Sequence, residues 1–88
     1  MEKYEISYKP TFVKQYSGLE KPLQEEAREK IELLKSEKNH GQLKVHKLKG
    51  KLSKYYSFSV NYKYRIIFNY QSKSEITLLT IGTHDLYK

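Results

Sequence analysis

An α+β fold is predicted for this chain, in the order β-α-α-β-β-β, with four strands in a mainly antiparallel sheet and two helices packed on one face. Three observations predict it. Apolar and polar residues alternate in three short runs, the period of a half-buried strand, and a fourth run, Ile76 to Ile81, is apolar or threonine throughout. Between the first run and the others, apolar residues recur every three or four positions, the period of a helix with one buried face. The spacers between the last three runs, Asn61-Tyr62 and Gln71 to Ser74, have the lengths that join antiparallel neighbours. With 88 residues the chain reads as a single domain, 1–88, near the lower limit of what can bury a self-sufficient core.

Taken in order, Tyr4, Ile6 and Tyr8 alternate with Lys3, Glu5, Ser7 and Lys9 as a first strand, and Pro10 ends it. Residues 11 to 17 suggest a short helix with Phe12, Val13 and Tyr16 on one side. Ser17-Gly18 breaks the chain. Ser17 and Glu20 stand at capping-box spacing, with Pro22 near the first turn, and mark a second helix. Its apolar face is Leu19, Leu23, Ala27, Ile31 and Leu34, and Asn39-His40-Gly41 is the expected stop. Leu43 to Lys51 reads as a basic connector. The remaining strands centre on Tyr56-Phe58-Val60, on Tyr64-Ile66-Phe68-Tyr70, and on Ile76 to Ile81, which, being apolar on both faces, belongs inside the sheet.

Composition narrows the function. No cysteine is present, so neither a disulfide framework nor a thiolate metal site is available, and no apolar run approaches the ~20 residues of a membrane span. A soluble, cytoplasmic protein without membrane attachment is expected. The net charge of +7 is confined to one half: residues 1–42 carry eight Lys or Arg against eight Glu, and residues 43–88 carry nine against two. One sign of charge concentrated on part of a small domain attracts polyanions, nucleic acid first among them. Nine tyrosines suit stacking on unpaired bases, although several sit at strand periodicity and are expected in the core.

The chemistry concentrates toward the end of the chain. Gly82-Thr83-His84-Asp85-Leu86-Tyr87-Lys88 supplies an imidazole, a carboxylate, a phenol and an ammonium. Scission of RNA by its own 2′-hydroxyl needs a proton acceptor, positive charge on the crowded phosphate and a proton donor for the departing 5′ oxygen. His84 can perform either transfer near neutral pH. Arg65, in mid-strand on the face opposite Tyr64, Ile66 and Phe68, is suited to hold a phosphate at two points, or else to pair with Glu75 or Asp85. Lys47, Lys49, Lys51 and Lys54 read as phosphate contacts that give salt-sensitive affinity for RNA, and Lys63 joins them as an RNA-binding charge. Tyr87 could stack on a base or anchor the tail. The histidines His40, His46 and His84 fall in separate segments without metal-ligand spacing, so no metal or other cofactor is expected.

The order of elements, the connector His46-Lys47-Leu48-Lys49-Gly50-Lys51-Leu52, the strands Tyr55 to Val60 and Tyr64 to Phe68, and the ending Ile81 to Tyr87 together resemble the RelE/ParE superfamily of toxins, most closely its RelE and YafQ branches. The resemblance covers essentially the whole chain. It implies a ribosome-dependent endoribonuclease that cuts messenger RNA in the decoding site and is neutralised by a cognate antitoxin. It further implies that His84 corresponds to the histidine of the Gly-Thr-His ending, Arg65 to the strand arginine on the scissile phosphate, and His46 to a loop histidine of YafQ relatives. The chain departs from that pattern at Ser59, Lys63, Tyr64 and Thr80, where YafQ-like chains carry histidine, aspartate, tryptophan and arginine. Arg65 is therefore expected to replace the missing arginine. Two other classes stay open, a ParE-like gyrase inhibitor and a non-catalytic basic RNA-binding or ribosome-binding module.

Overall fold

A computed structural model of the chain describes residues 3–83. The first alternating run forms strand β1 (Glu5–Tyr8), and Pro10 opens helix α1 (Pro10–Ser17) at the position where its missing N–H loses nothing. α1 buries Phe12 and half-buries Tyr16, while Val13, expected on the same side, stays exposed at 49 %. Helix α2 (Lys21–Leu34) presents the anticipated stripe, with Ala27, Ile31 and Leu34 buried and Leu19 and Leu23 packed against them. Burying each large apolar side chain contributes about 1.5–3 kcal/mol. A 14-residue helix is marginal alone, so this face, more than propensity, decides that α2 forms.

The helix ends differ from the sequence expectation. Ser17 does not cap α2: its hydroxyl donates to the Val13 carbonyl inside the last turn of α1 at 2.9 Å, and Glu20 takes the N-cap position without a side-chain bond. The link between the helices is Gln24, whose amide donates to the Tyr16 carbonyl at 2.9 Å while the Tyr16 hydroxyl donates back to the Gln24 carbonyl at 2.9 Å. α2 also stops at Leu34, ahead of Asn39-His40-Gly41. Those residues fold back on it: Asn39 Nδ2 donates to the Leu33 carbonyl and His40 Nε2 to the Leu34 carbonyl, supplying partners to the open end of the helix. A short 3₁₀ turn, Glu37–Asn39, makes the reversal.

The sheet has five strands, one more than periodicity shows. The connector contributes β2 (His46–Lys47), which pairs antiparallel with β3 (Tyr56–Ser59). Two residues are too few to display alternation, and both side chains are exposed. Long-range contacts make the strand: Ser59 N–H donates to the Leu43 carbonyl and Leu48 N–H to the Tyr55 carbonyl, each at 2.9 Å, with Leu43 and Leu48 both buried. β4 (Tyr64–Ser72) and β5 (Glu75–Thr83) complete the order β1-β5-β4-β3-β2, antiparallel except for the parallel β1–β5 pair. The run Ile76 to Ile81 is interior, as its two apolar faces require. Phe58, Ile66, Phe68, Ile76, Leu78 and Ile81 meet the helices in one core.

β1 is shorter than β5 and reaches only Leu78 in register. Beyond it the edge of β5 would be bare, a template for unwanted pairing. α1 covers it. Gln15 Oε1 accepts from the Ile81 N–H and from the Thr80 hydroxyl, both at 2.9 Å, so a side chain replaces the missing strand.

Candidate functional site

The β3–β4 hairpin is organised by Asn61. Its Oδ1 accepts from the Lys63 and Tyr64 N–H groups at 2.8 Å, an Asx turn, and its Nδ2 donates to Glu26 Oε1 of α2 at 2.9 Å. The turn is thereby fastened to the helix layer. Arg65 follows in β4, opposite Ser59 of β3 and Gly82 of β5. Its neighbours Ile66 and Phe68 enter the core, which places Arg65 in the alternate set with Ile67 and Asn69. Arg65 Nη1 donates to the Asn61 carbonyl at 2.9 Å and to the Tyr64 carbonyl at 3.3 Å. No carboxylate engages it among the described residues. Glu75 lies opposite Ser72, seven residues along the strand and roughly 23 Å away at strand rise, far outside ion-pair range. Asp85, the other partner considered, lies outside the described residues. One nitrogen of the guanidinium is committed to the backbone and the others remain available to an anion.

His46 sits in β2 opposite Ser57. Its Nδ1 lies 3.1 Å from the Lys44 carbonyl, which can only accept, so Nδ1 carries the proton. In the neutral ring Nε2 is then the basic nitrogen, with the Ser57 hydroxyl 3.4 Å away, at the long end of hydrogen bonding. From the register, the Cα atoms of His46 and Arg65 are two strands and two residues apart, about 12 Å. Lys44, which holds the ring, has φ of 60°, a left-handed conformation uncommon outside glycine. It ends a helical turn: Lys44 N–H donates to the Gly41 carbonyl and Val45 N–H to the His40 carbonyl, the paired bonds of a Schellman motif.

The proposed phosphate contacts Lys47, Lys49, Lys51, Lys54 and Lys63 are all exposed. Lys47 lies in β2, Lys49 and Lys51 flank and enter a 3₁₀ turn at Gly50–Leu52, and Lys63 is in the hairpin. Among the described residues the one ion pair is Lys35–Glu32 on α2, so none of these five ammonium groups is neutralised there. His84 and Tyr87 lie outside the described residues. β5 carries the chain as far as Gly82, beside Arg65, and Thr83, beside Tyr64; His84 is the next residue in sequence.

Several residues of this region were not singled out by sequence. Glu26, Lys30, Gln42, Lys44, Asn61 and Tyr62, together with Ser59, Val60 and the anticipated Arg65, line a hollow of about 410 Å³ between α2 and the β3–β4 hairpin. Asn61-Tyr62 reads in sequence as a spacer; the asparagine before a strand was the available signal for an Asx turn. Tyr62 is 93 % exposed. Other tyrosines behave as the strand periodicity implied: Tyr4, Tyr56 and Tyr70 cluster with Phe68, and Tyr4 stacks on His40. Burial, with Tyr4 and Tyr56 close by, pushes the Tyr70 hydroxyl up to about 12. Among the described residues no three His, Asp or Glu side chains converge on a metal position, and no helix is long and apolar enough to cross a membrane.

A family model described as the RelE-like toxin of type II toxin-antitoxin system HigB matches residues 10–84. No curated protein matches the sequence. Solved structures match the fold closely at low identity. YafQ from E. coli strain BL21(DE3) superposes with a TM-score of 0.77 at 17 % identity, covering 94 % of this chain and 96 % of that one. The RelE–RelB complex from Pyrococcus horikoshii OT3 gives 0.73 at 21 %, covering 92 % and 94 %. The YoeB–YefM complex from Staphylococcus aureus gives 0.73 at 21 %, covering 92 % and 97 %.

Proposed function

This chain belongs to the RelE-like toxins of type II toxin–antitoxin systems, and we propose that it acts as a ribosome-dependent endoribonuclease on messenger RNA in the cytoplasm. The observation that carries the reading is Arg65: a guanidinium set on an interior strand, fixed by one nitrogen to the Asn61 and Tyr64 carbonyls, with its other donors unclaimed among the described residues. Such a fork is preorganised for a phosphate that gains charge in the transition state. His46, with Nε2 as its basic nitrogen, shares the sheet face, and the sequence places His84 two residues beyond the partner of Arg65.

In this reading the 2′-hydroxyl loses its proton to a base and its oxygen attacks the adjacent phosphorus. The bond from phosphorus to the 5′ oxygen breaks, that oxygen takes a proton, and a 2′,3′-cyclic phosphate remains. Arg65 neutralises the crowded phosphate, His84 performs one of the two proton transfers, His46 on the same sheet face assists, and Tyr87 stacks on a base. Lys47, Lys49, Lys51, Lys54 and Lys63 hold the backbone and the ribosomal surroundings. The phosphate charge is assigned to Arg65 and one proton transfer to His84, and the reaction as written calls on no metal ion. The structural relatives solved as RelE–RelB and YoeB–YefM complexes support a cognate antitoxin as the partner that silences it.

The test is single-turnover cleavage of ribosome-bound messenger RNA. His84→Gln and Arg65→Ala should each lower the rate by about 10² or more, with circular dichroism and antitoxin binding unchanged. Wild-type rates in a folded His84→Gln protein would remove the tail from the chemistry.

A further inference from the structure

The hollow between α2 and the β3–β4 hairpin holds an unusual combination. Three cations, Lys30, Lys44 and Arg65, line it, and its one carboxylate, Glu26, is already bonded to Asn61 Nδ2. At its rim stands Tyr62, the most exposed large ring of the described residues at 93 %. An aromatic ring left in water contributes nothing to the core. Lys44, its backbone fixed in the left-handed conformation that closes the Schellman motif, is exposed and lines the hollow. Gln42 and Ser59 add neutral groups able to hydrogen-bond a base edge or sugar.

We propose that this hollow is a nucleotide subsite for single-stranded RNA, in which the Tyr62 ring stacks on a base and Lys30 and Lys44 hold the phosphate next to the one bound by Arg65. The inference rests on the reading of the chain as an endoribonuclease and extends it from the scissile phosphate to the adjoining nucleotide. The combination of a bare ring with cations is the form that sequence-tolerant recognition of unpaired strands takes. A protein segment is the other occupant such a hollow could take, and antitoxin binding is therefore followed beside RNA binding in the test.

The experiment titrates the purified full-length chain with a short single-stranded RNA carrying 2-aminopurine, whose fluorescence is quenched by stacking, at several salt concentrations. Tyr62→Ala should abolish the quench and weaken binding about tenfold, within the range for loss of one base–aromatic stack. Tyr62→Phe should retain both. Lys30→Gln and Lys44→Asn, the latter chosen because asparagine tolerates the left-handed backbone, should each flatten the salt dependence by about 0.7 in slope. If Tyr62→Ala binds and quenches as wild type while Arg65→Ala binds poorly, the subsite is wrong and the endoribonuclease reading stands. If Tyr62→Ala weakens only antitoxin binding, the hollow docks protein and the subsite is again overturned. A wild-type chain that neither binds RNA nor cleaves it on ribosomes would remove both.

Discussion

Asn61 holds Arg65. The Asn61 carbonyl accepts from Arg65 Nη1 at 2.9 Å while the Asn61 side chain closes the turn on one side and reaches Glu26 of α2 on the other. The guanidinium is thus positioned through the hairpin by the helix layer, and Asn61, which takes no part in the proposed proton transfers, sets its aim.

Replacing Asn61 with Ala removes the one acceptor shared by the Lys63 and Tyr64 N–H groups and the tie to Glu26. Chemical denaturation should show a loss of about 1–3 kcal/mol, and single-turnover cleavage should fall about tenfold through misalignment of Arg65. In an Asn61→Ala/Arg65→Ala double variant the cleavage defect should be no worse than in Arg65→Ala alone. Additive defects would mean that Asn61 acts independently of the arginine.

Gln15 shields the upper edge of β5. Gln15→Ala leaves the Ile81 N–H without its acceptor and should destabilise the fold by about 1–3 kcal/mol. Hydrogen exchange offers the local readout: the Ile81 amide should exchange faster in the variant, with the Ile66 and Phe68 amides of β4 following the global change alone.

The connector lysines are read as backbone contacts. Replacing Lys47, Lys49 and Lys51 together by Gln should weaken RNA or ribosome association and flatten its salt dependence by about 0.7 in slope for each phosphate no longer neutralised. Cleavage at saturating protein should largely persist. Unchanged association would make the connector a solvated loop.

Tyr70 links stability to alkaline pH. Its hydroxyl is raised from 10.0 to about 12, so the folded state retains the proton where the unfolded chain releases it. The associated stability is complete below the unfolded value, near pH 10, and is lost as pH rises through about 12. Thermal unfolding at several pH values in this window should show a steeper decline for the wild type than for Tyr70→Phe, which has nothing to ionise there. Parallel declines would mean that Tyr70 does not govern alkaline unfolding.

Much of the architecture is legible because its signals are periodic. The stripe Leu19 to Leu34 and the alternation through Phe58, Ile66 and Phe68 report which faces are buried, and those faces form the observed core. What escaped is aperiodic. β2 consists of His46 and Lys47 and is held by the Ser59 N–H donating to the Leu43 carbonyl and the Leu48 N–H donating to the Tyr55 carbonyl, bonds that no period in the sequence displays. The end of α2 is set by Asn39 and His40 reaching back six residues, and Ser17, which has the spacing of a cap, bonds within its own helix. At the site, Arg65 was recognisable as a charge in mid-strand; the Asn61 turn that aims it and the Lys44 carbonyl that sets the His46 tautomer are matters of backbone geometry. Residue types alone do not carry them.

The pairing of β1 with β5 bears on how the molecule comes into being. Ser7 and Thr77, bonded at 2.9 Å, are 70 residues apart, whereas the β3–β4 and β4–β5 contacts are hairpins. The local hairpins can form early, but the first strand has to wait for a partner made some 70 residues later, and closing so long a loop slows the last step of folding. During synthesis, a nascent chain that has not yet released β5 lacks both the neighbour of β1 and the strand beside Arg65. Assembly of the sheet and assembly of the candidate site are therefore the same late event, which waits until β5 has been synthesised and released.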